Sequence, residues 1–138
     1  MWLHHDVKVL PDIVRHRARV TPDKTALIDA GRRVTFGQLD TETNRVAHAV
    51  AREGAKPGAV VAYVGKNSVP FFEILFGASK AGCTVLPLNW RLAAAELVEH
   101  FGRIAAGQHA QQQRNHDRAE TQPAGGGQAH VEIGIVSQ

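Results

Sequence analysis

No internal disulfide can form in this chain, because Cys83 is its one cysteine. Cys83 stands in the apolar run Gly82-Cys83-Thr84-Val85-Leu86 and reads as a small buried hydrophobe rather than a nucleophile. The N-terminus, MWLHHDVKVL, lacks the apolar stretch of a signal peptide. No run approaches the roughly 18 apolar residues that span a bilayer. These absences lead us to expect a cytoplasmic protein with no membrane span. Blocks of one charge are missing too: the net charge of +3 comes from basic residues scattered among acids. A nucleic-acid surface needs Lys and Arg clustered on one face, so no nucleic-acid partner is expected.

The C-terminal quarter lacks what a core requires. All the aromatic residues, two Trp, one Tyr and five Phe, lie in 1–101. Residues 105–130 contain no Val, Ile, Leu, Met, Phe, Trp or Tyr. Ordering a residue costs roughly 1–2 kcal/mol, and without apolar burial nothing evident offsets it. We therefore expect 102–138 to be a disordered low-complexity tail and the core to come from 1–101.

Familiar site motifs are equally scarce. Gly65-Lys66 follows an apolar run as a phosphate-cradling loop would. However, that loop needs a glycine five positions before the lysine's own glycine and a hydroxyl after the lysine. Here Val60 and Asn67 stand there. Lys66 is expected to be solvated. The eight histidines, at 4, 5, 16, 48, 100, 109, 116 and 130, show no His-x3-His spacing and have no Cys-x2-Cys beside them. Asp40 with Glu42, and Glu96 with Glu99, read as solvated helix charges. No Gly-x-Ser-x-Gly elbow occurs. No catalytic, cofactor-binding or metal-binding residue is assigned on these grounds.

What the chain does contain is a clear succession of elements. Leu10, Ile13, Val14 and Val20 give the apolar side of a first helix, opened by Pro11 and Asp12 and stopped by Pro22. Ala26–Ile28 and Val34–Phe36 flank the turn Asp29-Ala30-Gly31-Arg32, predicting a hairpin. Thr35 and Gln38 have the spacing of a capping box. Leu39, Thr43, Val46, Ala47, Val50 and Ala51 then follow helical periodicity as far as Gly54. Val60–Val64 is a continuous apolar run, as in a buried parallel strand. Asn67-Ser68 opens a helix over Val69–Gly82 that is apolar nearly all round, and CTVLPLN returns as a strand. A further helix begins at Ala93. The fold class is α/β: helix, β-hairpin, helix, βαβ unit and helix, the incomplete N-terminal part of a doubly wound α/β domain. The one later strand candidate, HVEIGIV, follows so many featureless positions that we do not expect it in the sheet.

These stretches resemble one family. RARVTPDKTALID, RVTFGQLDTETNRVAHAV and GKNSVPFFEILFGASKAGCTVLPLNWRLAAAEL are similar to the N-terminus of AMP-forming acyl-CoA synthetases of the adenylate-forming superfamily, fatty-acid–CoA ligases in particular. The resemblance runs over about residues 10–101. It rests on Thr35-Phe36 with Leu39, Gly58 before a strand, Asn67-Ser68 before an apolar helix, Lys80-Ala81-Gly82, Pro87-Leu88-Asn89 and Arg91-Leu92. It implies ATP- and Mg2+-dependent activation of a carboxylate to an acyl-adenylate, then transfer to coenzyme A. The family's Ser/Thr/Gly-rich loop ending in Pro-Lys-Gly, its aromatic-Gly-x-Thr-Glu segment, its ribose-binding aspartate and its C-terminal catalytic lysine have no counterpart here. So none of those cofactors is assigned to this chain. The resemblance leaves three readings open: a truncated ligase portion inactive alone, a docking chain of a split ligase whose remainder is a separate chain, or a non-enzymatic interaction module. A ligase reading frame broken near 97–103 is the expectation for the change of character there. Apolar surface on the Val69–Gly82 helix and an unpaired strand edge predict self-association.

Overall fold

A computed structural model describes residues 7–121 and 133–137 of the chain. Helix α1 spans Leu10–Val20. Its first turn is closed by Asp12, whose carboxylate accepts from the Lys8 and Val9 N–H groups. Those two bonds hold the Asp12 pKa below its usual value. Of the apolar side read from the sequence, Val14 alone is buried. Val14 and Pro11 are buried, whereas Leu10, Ile13 and Val20 are exposed. Periodicity locates a stripe of a helix, but the neighbours decide which edge of that stripe goes inward.

Strands β1 (Thr25–Asp29) and β2 (Arg32–Thr35) form the expected antiparallel hairpin, with a bulge between Thr25 and Leu27. Ala30 and Gly31 at its tip have φ of 46° and 83°. Positive φ at both central residues is what a two-residue type I′ connection demands. Helix α2 (Phe36–Arg52) starts on the anticipated capping box. Gln38 N–H donates to Thr35 Oγ1, and Thr35 N–H donates to Gln38 Oε1. Leu39 and Thr43 are buried along its inner face.

Strand β3 (Val60–Val64), helix α3 (Val69–Lys80) and strand β4 (Thr84–Leu88) make the predicted βαβ unit, with β3 and β4 parallel and in register. Gly82, with φ of 78°, ends the helix and turns the chain into β4. Two clusters form the core. One joins Ala59, Val61, Tyr63, Ile74, Ala78 and Cys83; the other joins Val14, Val34, Leu39 and Val69. Helix α3 contributes to both. Phe71, Phe72, Leu75 and Phe76 are half-buried around it, so an inner helix is what the all-round apolar sequence produces.

The C-terminal part departs from expectation. Helix α4 spans Ala94–Thr121 without a break at 101. From 102 to 121, where composition suggested disorder, the backbone is helical. Its Ala, Gln, Glu and Arg residues are strong helix formers, and no proline interrupts it. With 28 residues it lies well beyond the roughly 12–15 needed for marginal helicity in water. Lacking apolar residues removes a packing face, not the backbone's preference. Leu97, His100, Phe101 and Ile104 are half-buried along one side. Strand β5 (Ile133–Ser137) pairs parallel with β3, Val60 opposite Ile133 through Val64 opposite Ser137. The sheet order is β4-β3-β5. Ile133–Ser137 thus supplies a third strand that the sequence reading left out. β3 is central and buried, so its second row of backbone groups needs a partner, and β5 provides one.

Candidate functional site

In open α/β sheets, ligands bind beyond the C-terminal ends of the parallel strands. Here that rim is made by the β3–α3 turn, Gly65 to Ser68, and by Asn89, Trp90 and Arg91 after β4. Tyr63 fills the space under the turn. Its hydroxyl donates to the Lys66 carbonyl at 3.1 Å and lies 3.5 Å from Ser68 Oγ. A Cβ at Gly65 would stand 2.5 Å from that hydroxyl, so glycine is required by the close approach. The first turn of α3 receives a carboxylate from the hairpin: Val69 N–H donates to Asp29 Oδ2 at 3.1 Å. A helix N-terminus attracts anions, and here a built-in one is already seated. One N–H of this helix start is thus taken by the chain's own carboxylate.

Lys66 is not simply solvated. Its Nζ lies 4.8 Å from the centre of the Trp90 ring, and Arg91 Cζ lies 4.9 Å from the same centre. Trp90 is 43% exposed. Exposed cation–π contacts of this kind are worth about 0.5–1 kcal/mol each. They order the rim and concentrate positive charge there. The proximity of Lys66 and Trp90, 24 positions apart, could not be read without the βαβ register.

Asp40 is also placed differently from the solvated position anticipated. Lys80, whose side chain is 2% exposed, bonds Asp40 Oδ1 at 2.6 Å, the Asp40 carbonyl at 3.2 Å and Asn44 Oδ1 at 2.8 Å. All three ammonium protons thus have acceptors. The set fastens α3 to α2 and leaves no proton to exchange with a ligand. Glu42 pairs with Arg45 as a surface charge should, and Glu96 and Glu99 are exposed. Glu96 accepts from the Ala93 N–H at the start of α4. Burial raises the Glu73 pKa, with Arg32 opposing and Glu42 adding to the rise. Burial likewise raises the Cys83 pKa, which keeps the thiol protonated and unreactive.

The histidines among the described residues fall on three different helices. His16 lies on α1, His48 on α2, and His100, His109 and His116 on α4. His4, His5 and His130 lie outside the described residues. Among the described residues, no three His, Cys, Asp or Glu side chains form a group suited to a metal ion. No helix among them is long and apolar enough to cross a membrane.

Comparison with known proteins adds the wider context. Residues 14–122 match the family model described as AMP-binding enzyme, extending past the 10–101 over which the resemblance was read. The fatty acid–[acyl-carrier-protein] ligase ScoC of Streptomyces coeruleorubidus is 43% identical over 100 residues, 72% of this chain and 19% of the relative. A feruloyl-CoA synthase from Amycolatopsis is 38% identical over 59% of this chain and 16% of its own length. Among solved structures, a fatty acyl CoA synthetase of Mycobacterium tuberculosis is 35% identical, with a TM-score of 0.60 over 63% of this chain and 18% of that one. The chain thus spans less than a fifth of the length of these relatives. The family match, the identities and the shared fold agree: the chain belongs to the AMP-binding enzyme family and corresponds to an N-terminal fragment of its acyl-CoA ligase members.

Proposed function

We propose that this chain contributes the N-terminal scaffold of a ligase that activates a fatty acid with ATP and passes it to a thiol acceptor, and that these residues alone do not carry out adenylation. The observation that carries this reading is the filled β3–α3 turn. Asp29 caps α3 and Tyr63 packs beneath Gly65, so the place where a βαβ unit would seat a triphosphate presents a carboxylate instead. A triphosphate there would meet repulsion rather than the convergent N–H and cationic groups that stabilise charge at phosphorus. The match to a fatty acid ligase supports the acyl class. ATP–pyrophosphate exchange with the purified chain and a panel of fatty acids tests the proposal. Exchange at background level is expected. Exchange above background that co-purifies with the chain and disappears on its removal overturns it.

A second reading has its own support. β4 pairs with β3 on one side, and no second partner for it occurs among the described residues. A separate chain carrying the rest of a ligase would find an open strand edge there. Co-expression with such a chain would then restore exchange that neither part shows alone.

A further inference from the structure

We propose that Pro87 guards the outer edge of β4, so that a second copy of this chain does not extend the sheet there. The proposal rests on the backbone of the βαβ unit and is independent of any ligase activity.

β4 pairs with β3 on one side, and among the described residues its other side has no strand. Thr84 N–H donates to the Ala59 carbonyl at 2.8 Å, and Val60 to Val64 stand opposite Thr84 to Leu88 in register. That one bond fixes the phase of the ladder. In a parallel pair, alternate residues turn their N–H and C=O groups toward the partner strand. Thr84, Leu86 and Leu88 therefore face β3, and Val85 and Pro87 face outward. A further strand would look for N–H donors at those two positions. Val85 has one; proline at 87 has none. Prolines in sheets sit where the missing donor faces solvent, and the Thr84 bond places this one there independently. The residues flanking β4 are engaged as well. Cys83 N–H donates to the Ala78 carbonyl at 2.9 Å, and the Asn89 carbonyl accepts from Leu92 N–H at 3.1 Å.

In every other respect β4 suits a growing sheet. Its sequence, TVLPL, holds no charged residue, and an uncharged apolar edge is a template for pairing unless something blunts it. Within the strand, Pro87 is the blunting feature. Two copies laid antiparallel along this edge would share one bond from each Val85 N–H. A donor at position 87 would double that number. The edge that the sequence counts toward self-association is thus open at Val85 alone. A complementing chain, in the second reading above, could pair beside Val85 but not continue past Pro87.

Hydrogen exchange read residue by residue tests this at low and high protein concentration. In the unaltered chain, the Val85 amide should exchange quickly at both, while Leu86 and Leu88, bonded to β3, stay protected. Pro87→Val then supplies the missing donor in a residue that favours strands. The amides at Val85 and at the substituted position should become protected as concentration rises. Light scattering should show the variant associating at a concentration at least about tenfold below that of the unaltered chain. A Val85 amide that becomes protected with concentration in the unaltered chain overturns the proposal, and this arm stands even if the variant misfolds. A folded Pro87→Val chain that associates no more readily than the unaltered one overturns it too.

Discussion

Gly77 and Gly102 are both helical glycines, and their surroundings are opposite. A methyl group added at Gly77 in α3 would stand 2.5 Å from the Val46 side chain and 2.9 Å from the Thr43 carbonyl oxygen. One added at Gly102 in α4 would meet nothing within 4 Å. The contrast extends to the regions around them. From α1 to β4, each element is fixed by what it buries: α3 lies between two core clusters and is tied to α2 through Lys80. α4 is held by the intrinsic preference of its own residues. Burial makes positions unequal, since a single atom in the wrong place displaces backbone. Propensity makes them nearly interchangeable.

The largest effect should come from the tie itself. Lys80→Ala leaves the partly buried Asp40 without its cation. Losing one partner of a buried pair costs about 3–5 kcal/mol, reduced here to about 2–4 because the Asp40 side chain is 26% exposed. Urea denaturation followed by tryptophan fluorescence measures the loss. A change below about 1 kcal/mol would mean that α2 and α3 are held by apolar contacts alone.

A smaller and more pointed pair of changes uses the two glycines. Alanine is favoured over glycine in a helix by about 1 kcal/mol, and overpacking a tight core costs about 1–3. Gly77→Ala should therefore lower global stability by about 1–2 kcal/mol, because the backbone oxygen of Thr43 cannot rotate away. Gly102→Ala should raise helical circular dichroism and leave the core's unfolding midpoint where it was. If both substitutions act alike, the contrast between the two helices is wrong.

The smallest global effect is expected from Ala106→Pro. Proline in a helix interior costs roughly 3 kcal/mol locally. Because α4 contributes little packing, the fluorescence-detected midpoint should move by less than about 0.5 kcal/mol while helical signal is lost. A large fall in the midpoint would show that α4 braces the core.

Legibility in the sequence followed the same division. β3, α3 and β4 were readable because long apolar runs are bounded by Gly58, Asn67-Ser68 and Gly82. The α2 start was readable because its two capping residues are three positions apart. Asp40 was not, because its partner Lys80 lies 40 positions away and only the packed helices bring them together. The exposure of Leu10 and Ile13 beside the buried Val14 was hidden for a similar reason, since it depends on where Val34, Leu39 and Val69 stand. For α4 only the start near Ala93 was legible, because beyond Ile104 no apolar pattern marks how far the helix runs. β5 was missed because its value lies in what β3 needs, not in its own pattern. At the candidate site, the missing loop glycine and hydroxyl around Gly65-Lys66 were legible, but the packing of Asp29 and Tyr63 against the turn was not.

The double service of α3 has a consequence for the order in which the molecule can be made. A chain emerges from its N-terminus at about 5–20 residues per second, and domains fold once their parts are present. When Ser68 has just been added, α1, the hairpin, α2 and β3 already exist as sequence, yet neither cluster can close. The cluster of Val14, Val34 and Leu39 needs Val69, and that of Ala59, Val61 and Tyr63 needs Ile74, Ala78 and Cys83. Asp29 and Asp40 wait for Val69 and Lys80 respectively. The nascent chain thus holds its early apolar residues open until one twelve-residue helix arrives. It can then close the cluster around Val69, and the one around Ile74 and Ala78 once Cys83 follows three residues later.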